Sequence, residues 1–438
     1  MPRCAQYCVC FCHPFLHRYF FEGDAYEKVL GKVIFPDDLE FENMLYAGVK
    51  RSSIAYGKVK SVNIDEVKKL DGVIDVIDYK DIPGEITHGV VFKDIPILVK
   101  DIIKRIGDCI VLVIAKDKAS LESALEKVNI EYEEYKGIFT IEDALKSDAP
   151  ILGDKNNILY HIEIKKGNVE EAFRNSKFIT VNNYYTQMTD HAFMQPEVAI
   201  ADYKINNELD LYVATQYPHY DREEVARCLN LKEEQVNVIN MSIGGAFGGR
   251  EDINPQCHAA IASYLTKKPV KIIYSREEST ISHSKRHPMK MYYKTAVNSN
   301  GKLSALKARI YADTGAYASW GINVVRKAAV HATGPYEIPN VDIKAYAVYT
   351  NNPFCGAMRG FGAAQVPIAC ESQMDILAQK LNIHPLKFRN INAFTCGDYT
   401  ATGQKLEESV GVKKCIEKLA SIDGANVTIG TNIYKSEL

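Results

Sequence analysis

The segment spanning residues 239–252 reads INMSIGGAFGGRED. A run of β-type residues ends there in two Gly-Gly pairs around one phenylalanine, and a helical pattern begins just afterwards at Asn254 and Pro255. Four glycines in residues 244–249 indicate a backbone that turns sharply and presents bare N–H groups to whatever packs against it. The spacing contains neither Gly-x-Gly-x-x-Gly nor Gly-Lys-Ser/Thr, so a dinucleotide or Walker-type site is not predicted. Taken alone, the glycines also fit a tight turn that merely permits close packing.

A second loop, MRGFGAAQ at residues 358–365, again brackets a phenylalanine with glycines ahead of a helical pattern. Glycines between a strand and a helix N-terminus direct unpaired N–H groups and the positive end of the helix dipole at a phosphate, oxo or other anionic group. Arg359 adds a charge-assisted donor, or is simply a surface residue. Phe247 and Phe361 either show a ring to a flat ligand or pack inward. The two loops together predict one ligand held from two sides.

Length and composition predict an ordinary globular protein. The chain has 438 residues, of which 53 are basic and 55 acidic, giving a formal net charge of −2. This length predicts two or three domains with a large core, and the balanced charge predicts no nucleic-acid partner. No apolar stretch approaches the length of a membrane span, so we expect no membrane association and a cytoplasmic location.

Four of the 11 cysteines crowd into residues 1–21, while seven are scattered singly as in proteins with reduced thiols. The spacing of Cys4, Cys8, Cys10 and Cys12 matches neither paired zinc ligands nor a plant-type iron–sulfur run, so we interpret residues 1–21 as an atypical Cys-rich leader. Residues 22–135 predict a compact α+β domain with strands at 74–77 and 109–114 and a helix at 119–128. The breakers in residues 136–157 indicate a linker, and residues 158–438 form the last predicted domain.

Local signals beyond the linker place the first loop between predictable elements. A strand over residues 209–214 ends at Thr215 and Gln216, and Asp221 with Glu224 predicts a capping box that starts the next helix. A strand over residues 236–239 feeds the first glycine loop. Asn254 is then expected to cap a helix that has Pro255 at its first position, and another helix is expected over residues 365–381.

From about residue 23 to residue 419 the chain resembles the molybdenum-cofactor subunit of the xanthine dehydrogenase and aldehyde oxidase family, the molybdenum hydroxylases. The matching segments occur in the family's order and spacing: GDAYEKVLGKVIFPDDL, NMLYAGVKRS, DHAFMQPEVAIADY, ATQYPHYDREEVA, GGAFGGRED, SREES, KRHPM, DTGAYAS, GPYEIPNV, TNNPFCGAMRGFGAAQ and TGQ. The resemblance implies an α+β fold. An α/β hammerhead domain would occupy residues 22–135, and the first of two molybdopterin-binding domains would occupy residues 158–438.

The resemblance also implies roles for individual residues. Gln216 and the backbone around Phe247 would contact the oxo end of the molybdenum centre, with the catalytic contribution of Gln216 being a preorganised donor. Arg359 would lie against the pterin, and Phe361 would stack on the substrate ring. The implied cofactor-binding set is Gln216, Gly245, Ala246, Phe247, Gly248 and Arg359. The pterin dithiolene would hold molybdenum, so no protein ligand to the metal is expected.

On the substrate side, Glu251 would hydrogen-bond a purine and assist catalysis, and Lys327 stands where xanthine-oxidising members have an arginine. A lysine supplies charge there but not a planar two-pronged donor. Glu251 also has a purely structural interpretation, because an acid just before a helix N-terminus is stabilising by roughly 0.3 to 1 kcal/mol. Gln195 stands where relatives usually carry glutamate, and the basic run SKRH at residues 284–287 is expected to be a solvated face.

The implied reaction is oxidative hydroxylation of a purine such as xanthine or hypoxanthine, with the oxygen taken from water. Electrons would leave through iron–sulfur clusters to FAD on partner subunits. Nicotinate, another N-heterocycle or an aldehyde is the alternative substrate. The family's catalytic glutamate belongs to the second molybdopterin domain, so we expect a separate partner chain, as in a split nicotinate dehydrogenase, or a truncated gene product. Alone the chain is expected to be inactive, and a non-catalytic scaffold is the remaining alternative.

Overall fold

The computed structural model of the chain describes residues 25–420, so the predicted Cys-rich leader lies outside the described residues. Strands and helices are mixed along the chain, and most strand pairs are antiparallel, which confirms the predicted α+β class. Two large sheets carry the two largest hydrophobic cores.

The first sheet has seven strands in the order β13-β12-β11-β14-β1-β7-β3. Its strands, in chain order, are β1 (Leu45–Arg51), β3 (Val73–Ile77), β7 (Cys109–Ala115), β11 (Val198–Tyr203), β12 (Leu209–Val213), β13 (Val236–Asn240) and β14 (Val270–Ile273). Every residue of β7 is buried, as expected for a central strand covered on both faces. The parallel pairing of β1 with β14 joins the predicted hammerhead region to the molybdopterin-binding region within one sheet.

The second sheet has five strands in the order β10-β15-β16-β17-β9. They are β9 (Ile158–Lys166), β10 (Phe178–Thr186), β15 (Met289–Val297), β16 (Leu303–Gly315) and β17 (Asn340–Tyr349). Small sheets pair β2 (Gly57–Val62) with β6 (Ile102–Ile103) and β8 (Ile130–Glu134), and β4 (Thr87–His88) with β5 (Ile95–Pro96).

Helices cover the sheets and connect their strands. They are α1 (Ala25–Val29), α2 (Ile64–Val67), α3 (Lys118–Lys127), α4 (Ile141–Ala144), α5 (Val169–Asn175), α6 (Pro218–Leu229), α7 (Gln256–Thr266), α8 (Arg276–Ser282), α9 (Gly321–His331), α10 (Val366–Leu381), α11 (Pro385–Asn392) and α12 (Val412–Ala420). Short 3-10 turns lie at Pro36–Asp38, Tyr79–Asp81 and Glu233–Gln235. Among these helices, none combines the length and the apolar character that crossing a membrane requires.

Two predicted helix starts are wrong. Helix α6 begins at Pro218 with Tyr217 as its N-cap residue, which places Asp221 and Glu224 inside the helix, where both are buried. The proline at the first position starts the helix without a side-chain cap, because its missing N–H and fixed φ already suit that place. Helix α7 begins at Gln256, one residue later than expected, and Asn254 does not cap it.

The expectation of a solvated basic face at residues 284–287 is also wrong. Ser284, Lys285 and His287 are each at most 6% exposed, and Arg286 is half-buried. The backbone of this segment lies beside the second glycine loop, since Lys285 N donates to Phe354 O and Gly356 N donates to Lys285 O. The segment therefore lies in the interior, next to the residues that precede the second glycine loop, and is not a surface patch.

Candidate active site

Gln216 lies where strand β12 gives way to helix α6 and contacts the first glycine loop directly. Its side-chain Oε1 accepts hydrogen bonds from the N–H groups of Gly248, at 3.0 Å, and Arg250, at 3.4 Å. Its own backbone N–H donates to Arg250 O at 3.1 Å. The Gln216 side chain is exposed, and within residues 25–420 its amide N–H2 donates to no protein atom. One end of the amide therefore holds the loop while the other end is available to a ligand.

Arg250 holds the first loop through hydrogen bonds to backbone carbonyl oxygens. Its guanidinium donates to Gly245 O at 3.0 Å and to Ala214 O at 3.3 Å, and it also bonds Gln195 O. The same guanidinium lies 4.5 Å above the ring centroid of the buried Phe193. Because Arg250 bonds both the loop and the strand end before Gln216, it fixes their relative position.

Several of the glycines are needed for packing, as the plainer interpretation of the loop predicted. A Cβ atom added at Gly244 would lie 2.6 Å from the side chain of Gln195, and one at Gly249 would lie 2.8 Å from the ring of Phe193. Gln195 Oε1 also accepts from Gly244 N at 2.7 Å. These contacts lie on the protein side of the loop.

The opposite side of the loop keeps its donors free. Within the described part of the chain, the N–H groups of Gly245, Ala246 and Phe247 donate to no protein acceptor. Phe247 has φ +53° and a side chain that is 48% exposed. A phenylalanine in the left-handed region is strained by about 1 to 2 kcal/mol, and strain of this kind is typical of ligand-binding loops.

The two glycine loops, which were predicted to hold one ligand from two sides, contact each other directly. Arg359 N donates to Phe247 O at 2.9 Å, and a Cβ atom at Gly248 would meet Ala357 O at 2.7 Å. The second loop repeats the geometry of the first, with Phe361 at φ +51° between two positive-φ glycines. Arg286 donates to Arg359 O at 3.0 Å and so braces the second loop from the interior. The Arg359 side chain itself is exposed beside the joined loops.

An aromatic wall connects Gln216 to the second loop. Tyr217 packs edge-on against Trp320 with ring centroids 5.8 Å apart, and Trp320 packs edge-on against Phe361 at 5.7 Å. Lys327, on helix α9, places its Nζ 5.9 Å from the centroid of the Phe361 ring. The structure thus brings Phe361 and Lys327 together with Tyr217, the residue that follows Gln216 in the chain.

Trp320 is the residue that sequence reasoning missed. It is the one tryptophan of the chain, its indole N–H is buried without an acceptor among the described residues, and it precedes helix α9 directly. Its rarity was the available signal, but nothing local tied it to Phe361, which lies 41 residues later. Its place between Tyr217 and Phe361 makes it a candidate substrate contact.

Glu251 closes the first loop at the edge of the site. Its backbone N–H donates to Gly248 O at 3.3 Å, whereas its half-buried carboxyl has no protein partner within the described residues. Burial, followed by the neighbouring Asp252, raises the pKa of Glu251 to about 7. The structure shows no contact between this carboxyl and Phe361 or Lys327, so a substrate role for Glu251 stays a prediction.

A buried charged cluster supports the segment beneath the first loop. The fully buried His283 lies 3.2 Å from Asp190 Oδ2 and 3.1 Å from Glu197 Oε1, one carboxylate at each ring nitrogen. Burial lowers the pKa of His283, but its ion pairs with Asp190 and Glu197 raise it above the usual value overall. His191, next to Asp190 in the chain, hydrogen-bonds Ala357 O at 2.7 Å through its Nε2. Ala357 directly precedes the second loop.

The chain matches two protein-family models. Residues 30–136 match the aldehyde oxidase and xanthine dehydrogenase a/b hammerhead domain, and residues 152–393 match the molybdopterin cofactor-binding domain. The nicotinate dehydrogenase large molybdopterin subunit of Eubacterium barkeri is 44% identical over 90% of this chain. The chain belongs to the aldehyde oxidase and xanthine dehydrogenase family.

Other members of this family cover most of the chain as well. A probable xanthine dehydrogenase subunit from Bacillus subtilis is 37% identical over 84% of this chain. The aldehyde oxidoreductase of Desulfovibrio gigas has the same fold, with a TM-score of 0.87 and 27% identity over 91% of this chain. The chain spans 93% of the E. barkeri subunit, but 50% of the B. subtilis subunit and 45% of the D. gigas enzyme.

Family membership makes this chain a molybdenum-cofactor-binding subunit of the molybdenum hydroxylases, and the described residues fit that cofactor. Among the described residues, the N–H groups of residues 245–247 and the Gln216 amide have no acceptor, and the exposed Arg359 follows in the second loop. Hydrogen-bond donors of this kind suit the oxo and phosphate oxygens of such a cofactor. Within residues 25–420 no group of three or more His, Cys, Asp or Glu side chains lies together in a way that would hold a metal ion.

Proposed function

We propose that this chain supplies one wall of the active site of an N-heterocycle hydroxylase, and that its substrate is a pyridine carboxylate of the nicotinate type. The bound cofactor supplies the hydroxylation chemistry, with the oxygen taken from water. A second chain carrying the other molybdopterin domain completes the site, and iron–sulfur and FAD subunits accept the electrons. The observation that carries the proposal is the aromatic wall with Lys327 at its edge.

In this proposal the first loop and Gln216 hold the oxygen-bearing end of the cofactor. The N–H groups of residues 245–247 and the Gln216 amide are held in place without a ligand. Arg250 bonds the carbonyl oxygen of Gly245, and the N–H group of Gly248 bonds the side-chain oxygen of Gln216. Donors fixed in this way stabilise developing negative charge without reorganisation. Arg359 lies against the pterin side of the joined loops.

The wall selects a flat substrate. Phe361 and Trp320 are half-buried and pack against the core of the second sheet, and in this proposal the substrate ring stacks on the part of Phe361 that this packing leaves uncovered. Lys327 Nζ lies over the Phe361 ring, 5.9 Å from its centroid, and in this proposal the exposed lysine moves off the ring face to meet the carboxylate of a stacked ring. A lysine meets a single anionic group as a point charge, whereas the paired acceptors of a purine suit a planar guanidinium better. The 44% identity to a nicotinate dehydrogenase subunit supports the same substrate class.

A purine such as xanthine or hypoxanthine is the second candidate, and Glu251 favours it. A carboxyl with a pKa of about 7 both accepts and returns a proton near neutral pH, as binding a ring N–H requires. In that case Glu251, rather than Lys327, would orient the ring.

The test is to co-express the chain with its second molybdopterin chain and with the iron–sulfur and FAD subunits, then assay nicotinate, xanthine, hypoxanthine and simple aldehydes. We expect molybdenum near one atom per complex and turnover of nicotinate. Turnover of xanthine with none of nicotinate would reject the pyridine carboxylate. A well-folded complex without molybdenum would reject the enzyme and leave the non-catalytic scaffold.

A further inference from the structure

A buried thiol lies on the first sheet, apart from the residues assigned above to cofactor and substrate. Cys109 begins strand β7 and is 9% exposed. Strand β1 pairs Lys50 with Val111 but Arg51 with Cys109, so a β-bulge at Ile110 brings Arg51 opposite Cys109. A bulge re-aims a side chain in this way by inserting one unpaired residue. The register of two strands, rather than a flexible surface contact, therefore sets the thiol beside a guanidinium.

Arg51 holds the sulfur directly. Its Nη1 lies 3.0 Å from Cys109 Sγ, while its Nε bonds Glu278 Oε1 at 3.0 Å and its guanidinium lies 4.9 Å above the ring of Tyr274. A charged donor at this distance stabilises a thiolate more than a thiol, since the attraction acts on the anion in a poorly solvated place. The ion pair with Glu278 keeps Arg51 in position.

His258, in the first turn of helix α7, provides a second cation. Its Nε2 lies 2.7 Å from Ile97 O and its Nδ1 lies 3.3 Å from Asn254 O, so both ring nitrogens face carbonyl acceptors. Only the doubly protonated ring donates to both carbonyls. Burial raises the pKa of Cys109, but Arg51 and then His258 bring it below its usual value overall. The pKa of His258 is raised by Cys109 against the effect of burial.

A small cavity adjoins the thiol. Its volume is about 30 Å³, and its lining includes Arg51, His88, Cys109 and His258. His88 is 6% exposed, and its Nδ1 has no partner among the described residues, as is also true of Arg51 Nη2. This volume has room for about two water-sized molecules, and so for one hydroperoxide group. The titratable groups around the cavity are Arg51, His88, Arg105, Asp108, Cys109, His258, Tyr274 and Glu278.

We propose that Cys109 is a thiolate paired with Arg51 in a cavity that His258 also lines, and that it is the site at which hydrogen peroxide oxidises this chain to a sulfenic acid. The thiolate attacks one peroxide oxygen, an S–O bond forms as the O–O bond breaks, and sulfur loses two electrons to the peroxide. The leaving hydroxide takes a proton from solvent and departs as water. Thiolate character decides which cysteines undergo this oxidation.

The chain contains its own control. Cys370 is fully buried in helix α10, and burial raises its pKa, so it is a neutral thiol in the same molecule. The full chain is treated with hydrogen peroxide at several pH values, the sulfenic acid is trapped with dimedone, and each cysteine is quantified by mass spectrometry. A Cys109→Ser variant gives the thiolate absorbance of Cys109 by difference.

We expect Cys109 to be trapped at least about tenfold faster than Cys370 at neutral pH, and its rate to rise less steeply with pH between about pH 6 and pH 8 than that of a neutral thiol. A neutral thiol reacts about tenfold faster per pH unit over that range. A His258→Gln variant is expected to give Cys109 that steeper dependence. Labelling no faster than Cys370, or a steep profile in the unchanged chain, would overturn the proposal without bearing on the cofactor site.

Discussion

The two ends of the Gln216 side-chain amide have different environments. Its Oε1 holds Gly248 N and Arg250 N, and its N–H2 has no partner among the described residues. In the assembled enzyme we expect Gln216→Ala to lower kcat by about 100-fold or more, since it removes a preorganised donor and leaves two N–H groups unpaired. Molybdenum content and the thermal unfolding midpoint should be measured alongside turnover.

A Gln216→Glu variant separates the two roles. The carboxylate still accepts from Gly248 and Arg250 but cannot donate, so we expect a normal fold together with a loss of turnover similar to that of Gln216→Ala. If Gln216→Glu keeps full activity, Gln216 only supports the loop, and the free donor has no catalytic role.

The raised pKa of Glu251 predicts that the stability of this chain depends on pH, and this can be measured without partner subunits. Its pKa of about 7 lies above the ordinary 4.5, so between these values the folded chain binds a proton that the unfolded chain releases. Stability from this carboxyl is therefore lost as pH rises from about 4.5 to about 7. We expect Glu251→Gln to raise the unfolding midpoint relative to the unchanged chain at pH 8 but not at pH 4.5, as measured by thermal denaturation. An equal difference at both pH values would show that the carboxyl is not perturbed by burial.

At the scale of elements, close contact between the two glycine loops is what assembles the site. Gly248 has φ +99°, and an added Cβ atom would lie 2.7 Å from Ala357 O. Gly403 has a similar φ of +84° with no atom within 4 Å, which makes it a matched control. We expect Gly403→Ala to cost about 1 to 3 kcal/mol from backbone strain alone, and Gly248→Ala to cost more.

The loss of molybdenum distinguishes these two glycine variants further. Gly248→Ala separates the loops and should release cofactor from the assembled complex, whereas Gly403→Ala should retain it. Denaturant unfolding gives the stability difference, and metal analysis gives the occupancy. Equal destabilisation with full occupancy in both variants would mean that the loops need not touch.

Helices and strands could be predicted where a short stretch of sequence contains the residues that determine them. Strand β12 and helix α10 follow from period and breakers in one window, and the structure places their ends within one residue of expectation. Helix α6 was mispredicted at its start because Asp221 and Glu224 have the right spacing for a cap, while burial against the rest of the fold decides their environment. The SKRH segment failed for the same reason, since charge predicts solvent exposure only where no tertiary partner exists.

At the scale of the whole molecule, the sheet that carries the site is built from distant parts of the chain. Strand β1 pairs in parallel with β14 from Leu45↔Val270 onward, a contact between residues 225 positions apart. No local period encodes such a pairing, so the sequence pattern could not predict that residues 22–135 share a sheet with the rest of the chain. The residue pattern predicted the two glycine loops and the strand that ends at Gln216, and the family resemblance assigned their roles, but the Trp320 contact required the folded chain.

The exposed, unpaired face of the joined loops predicts where the second chain and the cofactor attach. Within residues 25–420, Ala246 N and Phe247 N have no acceptor, and Phe247 is 48% exposed, so these amides should exchange hydrogen rapidly in the isolated chain. In the molybdenum-containing complex we expect slow exchange across residues 245–248 and 358–362. The turn at residues 298–301, at the far end of strand β15, serves as the control and should not change. If exchange at residues 245–248 is as fast in the complex as in the isolated chain, the loops do not hold the cofactor, and the site has to be sought elsewhere on the molecule.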